Sequence, residues 1–149
     1  MDPTAPIVIK YDFEESIGYW LTVTHQAYIR NLESTLAPHG ITFRQAQVLG
    51  YLAIEGPLSQ AELASKMLIE PPSLVGVIDR MEANELIERR PCPNDRRKKI
   101  IHTLASANRV WKKVVKCAKQ VRSQATDNLT EREQATLKRL LEKVRNNVT

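Results

Sequence analysis

The sequence predicts a mainly helical domain with one small β-hairpin, and three observations support this prediction. Hydrophobic residues recur at helical spacing along most of the 149-residue chain. Three capping boxes, each preceded by a hydrophobic residue, predict helix starts near residues 43, 60 and 131. Between residues 86 and 104 the hydrophobic spacing changes to that of two short strands joined by a turn that contains proline.

The N-terminal part is predicted to be an arm, residues 1–12, followed by a long helix over residues 13–37. Pro38 and Gly40 end this helix. Its hydrophobic side is wider than one small core requires, which indicates burial against a second chain. The residues of that side are Ile17, Trp20, Leu21, Val23, Thr24, Tyr28 and Leu32.

Three helices are predicted in the middle of the chain. The first starts after Thr42, and a short second helix starts after Ser59. The third spans about residues 71–83 and has two prolines in its first turn, where the missing N–H groups have no intrahelical partner. Its hydrophobic stripe is Leu74, Val77, Ile78 and Met81, and its opposite face carries Pro72, Ser73, Gly76 and Arg80.

A hairpin with a cationic tip is predicted from strands at residues 86–90 and 99–104. The connection begins with Pro91–Asp95, which is turn chemistry, and continues with four cationic residues, Arg96, Arg97, Lys98 and Lys99. The order helix, short helix, helix and hairpin is that of a winged helix-turn-helix, here residues 41–104. Small residues at the start of the third helix let it approach the major groove of DNA.

Two further helices are predicted, over residues 106–125 and from residue 131 to about 147. Cationic residues cover much of the first of these helices. That face either contacts the DNA backbone or is a solvated surface, and the second interpretation is favoured.

The charge is distributed unevenly along the chain. The net charge is +5, but residues 1–75 hold 4 basic and 8 acidic side chains, whereas residues 76–149 hold 18 and 9. Residues 89–122 hold 12 basic side chains and a single acidic one, Asp95. Such a block predicts a polyanionic partner. Nucleic acid is the first candidate; the alternative is a helical adaptor that binds acidic proteins or anionic membranes through residues 89–122.

Residues 42–103 resemble the MarR/SlyA family of bacterial transcription regulators. The wing sequence Arg90–Arg97 is similar to that of the SlyA branch and includes its cysteine. The other segments that carry the resemblance are Ile69–Val75, Asp79–Glu82, Leu86–Arg89 and the turn Asp95-Arg96-Arg97.

The resemblance implies a homodimer, formed by residues 13–37 and 106–148, on a pseudo-palindromic DNA operator. It assigns Arg97 to the minor groove, with Asp95 as the carboxylate that orients it, and Ser73 with its neighbours to the major groove. The resemblance also implies that binding of a small aromatic acid or phenol releases the protein from DNA. Candidate contacts are Pro72, Ser73, Gly76, Arg80, Asp95, Arg96, Arg97 and Lys98 for DNA, and His25, Tyr28 and Arg44 for the effector.

Three positions depart from the family pattern. Gly76 stands where the SlyA branch has an arginine, so a phosphate or guanine contact is lost. Asn84-Glu85 replaces the glycine of the turn before the wing, and we expect Asn84 to take the left-handed conformation. The family's Leu-Thr at the end of the wing is Thr103-Leu104 here, so the next helix is expected to begin differently.

Other functional classes lack support in the sequence. The five glycines are too scattered for a phosphate-binding loop, and the common catalytic motifs are absent, so we predict that the chain is not an enzyme. The three histidines are far apart, which predicts neither a metal site nor a cofactor. Cys92 lies among arginines that favour a reactive thiolate, so it is either a redox site or an incidental cysteine. Without a signal peptide or an apolar span, a cytoplasmic protein with no membrane partner is expected.

Overall fold

The computed structural model describes residues 3–6 and 9–149. In this part of the chain, six α-helices surround one small antiparallel sheet, which confirms the predicted fold class. The helices are α1 (Ile17–Leu36), α2 (Phe43–Glu55), α3 (Gln60–Met67), α4 (Pro71–Ala83), α5 (Ala107–Ala125) and α6 (Glu131–Val148). The strands are β1 (Leu58–Ser59), β2 (Ile87–Cys92) and β3 (Asp95–Thr103), and a 3-10 turn, Ala37–His39, follows α1.

All three predicted capping boxes are present. The Thr42 hydroxyl accepts the Gln45 backbone N–H at 3.1 Å, and the Gln45 side chain accepts the Thr42 N–H at 3.1 Å. The same reciprocal pairs start α3 and α6, formed by Ser59 with Glu62 and by Thr130 with Glu133. The predicted helix starts near 43, 60 and 131 are therefore confirmed. They could be predicted from sequence because each capping box needs only two residues three positions apart.

The first helix begins four residues later than predicted. Phe13 lies in a turn, and Ser16 caps α1 by accepting the Tyr19 backbone N–H at 3.3 Å. The indole N–H of Trp20 donates to the Glu14 carbonyl at 2.8 Å, which folds this turn back onto the helix. The predicted start at residue 13 is therefore wrong. Met1, Asp2, Ile7 and Val8 of the predicted arm lie outside the described residues.

The main hydrophobic core lies between α2, α3, α4 and the sheet. The predicted stripe of α4 is confirmed, since its members are 0–6% exposed. A second, smaller cluster joins the end of α1 and the start of α2 to α5. Trp111 of α5 packs against both clusters and so connects the helix-turn-helix to the terminal helices. The stripe of α4 consists of Leu74, Val77, Ile78 and Met81.

The sheet has the order β1-β3-β2, and sequence analysis missed its first strand. Leu58 and Ser59 pair with Ile101 and Ile100, so Ser59 belongs to the sheet and also caps α3. A strand of two residues has too little periodicity to be recognised from sequence.

The turn between α4 and the wing has a left-handed residue, but at a different position from the predicted one. Asn84 has φ −86°, and Glu85 has φ +59°. The N–H of Leu86 donates to the Met81 carbonyl at 3.0 Å and that of Glu85 to the Glu82 carbonyl at 2.9 Å, which is a Schellman motif. The expectation for Asn84 was wrong because this motif places its left-handed residue one position later.

Three residues separate the end of the wing from the start of the next helix. Thr103 is the last residue of β3, and the N–H of Leu104 donates to the Leu86 carbonyl at 2.9 Å. The Ser106 hydroxyl donates to the Glu85 carbonyl, so it does not cap α5. This bond ties the start of α5 to the end of α4.

Large hydrophobic side chains remain exposed on α1 and α6. Ile17 is 62% exposed, Trp20 50% and Leu137 48%, and no residue of α6 is buried. A groove of about 860 Å³ runs between Leu21 of α1 and the hydrophobic face of α6. In the described part of a single chain, no other element packs over these hydrophobic faces closely enough to bury them.

Candidate nucleic-acid interface

The exposed face of α4 is small and open near its N-terminus. Pro71 and Pro72 occupy the first turn, and Ser73, Gly76 and Arg80 are exposed as predicted. A Cβ built at Gly76 meets nothing within 4 Å, so the face is unobstructed at this position. A ligand can therefore approach the backbone of α4 closely along this face.

The cationic residues of the wing lie on a strand, and their predicted place in the turn is wrong. Cys92 pairs with Asp95, so the turn consists of Pro93 and Asn94 alone. The neighbouring pair is Pro91 with Lys99, which leaves three residues of β3 without a partner in β2. We call these residues, Arg96, Arg97 and Lys98, the wing bulge; all three are exposed.

The position of the wing bulge follows from Pro91. Proline has no N–H to donate to the ladder, so strand pairing is readily interrupted beside it. The proline in this strand is therefore the local signal that could have indicated the bulge.

Asp95 braces Arg97, but not through its guanidinium. The Asp95 carboxylate accepts the backbone N–H of Arg97 at 3.0 Å. The five ion pairs found among the described residues do not include one between these two side chains. Among the described contacts, Asp95 therefore orients Arg97 by holding its backbone N–H and not by pairing with its guanidinium.

Lys98 connects the wing bulge to α3. Its ammonium lies 3.4 Å from a carboxylate oxygen of Glu62, whose other oxygen accepts the Ser59 N–H at 2.9 Å. The Ser59 hydrogen bond lowers the pKa of the Glu62 carboxyl, and Lys98 lowers it further, while desolvation acts in the opposite direction. A notch of about 430 Å³ between them is lined by Ser59, Gln60, Ala61, Asp95, Arg97, Lys98 and Lys99.

Arg89 of β2 is a structural residue that sequence analysis missed. Its guanidinium lies 2.6 Å from Asp79 and 3.0 Å from Glu82, two carboxylates of α4. It also donates to the Gln60 amide of α3 at 3.3 Å, and its backbone N–H donates to Glu82 at 3.1 Å. One side chain therefore joins both helices of the helix-turn-helix to the wing. The signal was a pair of acidic residues three apart on α4, followed by an arginine on the next strand.

Two of the three predicted effector contacts share a cavity. His25 of α1 and Arg44 of α2 line a cavity of about 630 Å³, and Tyr28 faces a separate cavity of about 260 Å³ between α1 and α5. Sequence analysis missed several other residues that line the larger cavity, because they come from α1, α2 and the end of α3. They are Ile29, Glu33, Thr42, Phe43, Gln47, Tyr51, Lys66, Met67 and Leu68.

Polar side chains of the larger cavity are held by neighbours. The Tyr51 hydroxyl donates to the Lys66 carbonyl at 3.0 Å, and Arg44 donates to Gln47 at 3.1 Å. The Lys66 ammonium donates to Glu55 at 2.9 Å, which raises the pKa of Lys66. The cavity thus combines cationic groups and the Glu33 carboxylate with apolar side chains.

The cysteines occupy different environments. Cys92 is a free, half-buried thiol in the wing, whereas Cys117 is buried in α5 and lies 3.5 Å from the Thr35 carbonyl. A redox role for Cys92 stays a prediction. In the described part of the chain, no cluster of three or more His, Cys, Asp or Glu residues is arranged to hold a metal ion. No described helix is both long and apolar enough to span a bilayer.

Comparison with known proteins identifies the family. A model described as the MarR family matches residues 39–98. The HTH-type transcriptional regulator YsmB of Bacillus subtilis is 30% identical over 139 residues, which cover 93% of this chain and 92% of YsmB. The chain belongs to the MarR family of transcriptional regulators.

Two similar solved structures bear on function. A variant of MarR from E. coli, crystallised in complex with operator DNA, is 27% identical with a TM-score of 0.76, and the match covers 86% of this chain and 92% of MarR. BpsR of Bordetella bronchiseptica, whose DNA binding is regulated by 6-hydroxynicotinic acid, is 25% identical with a TM-score of 0.77. That match covers 91% of this chain and 96% of BpsR. The family resemblance inferred from the wing and α4 is thus confirmed, and with it DNA binding and a role in transcription regulation at the level of the family.

Proposed function

We propose that this chain forms a homodimer on a pseudo-palindromic operator, with the N-terminal part of α4 in the major groove and Arg97 in the minor groove. The wing bulge is the observation that carries the proposal, because its three adjacent cationic side chains lie outside the strand pairing. An arginine on such a projection is attracted to the negative potential of a narrow minor groove. Phosphate contacts supply most of the affinity, which falls as salt rises.

The proposed interface is held as one unit. Lys98 links the wing bulge to Glu62 of α3, and Arg89 links β2 to α3 and α4. Residues 41–104 therefore act as the DNA-binding unit in this proposal. Residues 17–37 and 106–148 act as the dimerisation unit, since they carry the uncovered hydrophobic faces.

A gel-shift titration of Arg97→Ala tests the proposal. We expect affinity for a selected operator to fall about tenfold, which corresponds to about 1.4 kcal/mol. The loss is larger when the flanking base pairs are A·T-rich, because their minor groove is narrower. Arg132→Ala removes the same charge from α6 and serves as the control. Wild-type affinity in Arg97→Ala would contradict the assignment of the minor-groove residue.

The same selected operators test the dimer. Two half-sites about 10 base pairs apart, or a multiple of this spacing, are expected from a symmetric dimer. Leu141→Lys places a charge on the exposed hydrophobic face of α6, so it should shift the protein toward monomer in sedimentation experiments. An unchanged sedimentation coefficient would show that this face is not the interface.

We further propose that the cavity lined by His25 and Arg44 binds a small aromatic acid that lowers affinity for DNA. An arginine can bind a carboxylate through two parallel hydrogen bonds, and Phe43 and Met67 supply apolar surface for a ring. The regulation of BpsR by 6-hydroxynicotinic acid supports an effector of this class. Such a ligand weakens DNA binding only if it binds the DNA-free state more tightly.

A further inference from the structure

The exposed face of α5 carries charge of one sign only. The 19 residues of the helix include six cationic side chains and no acidic one. All six are exposed, and none belongs to the ion pairs found in the described part of the chain. By contrast, α6 mixes glutamates with its cationic residues. The six residues, which we call the α5 face, are Arg109, Lys112, Lys113, Lys116, Lys119 and Arg122.

The cationic side chains of the α5 face repel one another. Every one of its members has another cationic side chain three or four residues away, the spacing at which side chains on a helix are neighbours. Like charges at this spacing destabilise a helix, and an anion that binds across them removes the repulsion. The helix cannot turn these residues away, because Val114, Cys117 and Val121 on its other side are buried.

The start of the α5 face is fixed to the DNA-binding unit. Ser106 donates to the Glu85 carbonyl at the end of α4, and Leu104 donates to Leu86 at the start of the wing. From Arg109 to Arg122 the face extends for about 20 Å along the helix. The face therefore starts near the C-terminal end of α4, and α4 itself has 13 residues and is about 20 Å long.

We propose that the α5 face binds phosphates of duplex DNA outside the base pairs covered by α4 and the wing. This inference rests on the proposed function. A row of lysines and arginines is complementary to the closely spaced phosphates of a duplex. Three further residues on this side of the helix, Asn108, Gln120 and Ser123, are polar and exposed, and they can also donate to phosphates. A membrane-binding helix instead presents exposed apolar side chains, and this face has none.

Salt titrations on two duplexes test the inference. The first duplex contains only the two half-sites, and the second is extended by two helical turns on each side. The variant Lys112→Gln/Lys113→Gln/Lys116→Gln should match the wild type on the short duplex. On the long duplex, the slope of log K against log salt should be shallower by up to about 5.4, which is roughly 0.9 for each of six phosphates, three from each protomer of the proposed dimer.

The control variant is Arg132→Gln/Arg139→Gln/Lys143→Gln, which removes the same charge from α6 on the side opposite to its hydrophobic face. It should leave both slopes unchanged. The α5 variant should melt at or above the wild-type temperature without DNA, since it loses like-charge repulsion. This measurement separates an effect on binding from a failure to fold.

Equal slopes for wild type and α5 variant on the long duplex would overturn the inference, as would an equal loss on both duplexes. Loss of binding to phosphatidylglycerol vesicles with unchanged DNA binding would also overturn it and assign the face to membranes. The proposed function fails separately, if the wild type binds no selected operator or if Arg97→Ala binds normally.

Discussion

Arg89 offers the sharpest test of how the DNA-binding unit is held together. We consider Arg89→Met, which keeps an unbranched, largely apolar stem and removes the charge and the donors of the guanidinium. The Arg89 side chain is 21% exposed, and its guanidinium pairs with Asp79 at 2.6 Å and Glu82 at 3.0 Å. It also holds Gln60 at 3.3 Å. Because one planar group serves two helices, a flexible lysine cannot replace it fully.

The loss of stability expected for Arg89→Met follows from the exposure of the two carboxylates that pair with Arg89. Asp79 is 58% exposed and Glu82 42% exposed, so both carboxylates regain water when the arginine is removed. Each pair is then worth about as much as a well-formed surface ion pair, and the shared network adds to this. We expect Arg89→Met to lower the free energy of unfolding by about 1–2 kcal/mol. For a chain of this length, Tm falls by roughly 2–8 °C.

Arg89→Met should weaken DNA binding by more than the loss of one positive charge would. Arg90→Met is the matched control, because Arg90 follows on the same strand, is 55% exposed, forms its ion pair with its near neighbour Glu88 and otherwise lies 3.5 Å from the His102 ring of the adjacent strand. Both variants lose one positive charge. Urea unfolding measures the stability of each, and a gel shift at constant salt measures its affinity. If Arg89→Met matched Arg90→Met in both stability and affinity, the positioning role of Arg89 would be refuted.

Three further predictions concern single side chains. Glu85→Gly should raise the free energy of unfolding, measured in urea, by about 0.5–1 kcal/mol, because glycine takes a left-handed φ without strain. The control Asn84→Gly, at a position with an ordinary φ, should give no gain in the same measurement. Glu62→Gln should be less stable than the wild type near neutral pH. The folded pKa of Glu62 is lowered, so its contribution is present above its unfolded pKa of about 4.3 and is lost as pH falls through the folded value. The two proteins should therefore converge in acid, and a constant gap across pH would contradict this. Arg44→Gln should abolish the response of DNA binding to aromatic acids in a gel shift, whereas Tyr28→Phe, at the other cavity, should keep it.

The features that sequence analysis predicted correctly are local ones. A capping box needs only residues three apart, and all three were found where predicted. The stripe of α4 follows from helical spacing alone, and every member is buried. The resemblance of the wing and α4 to one family added the class of function.

The features that were missed depend on how separate strands and helices pair or pack with one another. The wing bulge arises from the register of β3 against β2, which no periodicity within either strand determines. Arg89 meets Gln60 across 29 positions of sequence. His25 and Arg44 share a cavity and Tyr28 does not, because the packing of α1 against α2 and α5 decides which side each residue faces.

The two turns that flank α4 explain how its position is set. Leu68, with φ +55°, precedes the helix, and Glu85, with φ +59°, follows it. Left-handed backbone is unfavourable for both residue types, and at each turn two backbone hydrogen bonds of a Schellman motif stabilise it. At the second turn, Ser106 and the network of Arg89 add tertiary contacts. At the first, Leu68 is 91% exposed and lines the cavity of His25 and Arg44. A ligand bound in that cavity would therefore contact the turn at Leu68, which has fewer tertiary contacts than the turn at Glu85. If the ligand preferred one backbone geometry of this turn, it would shift the orientation of α4.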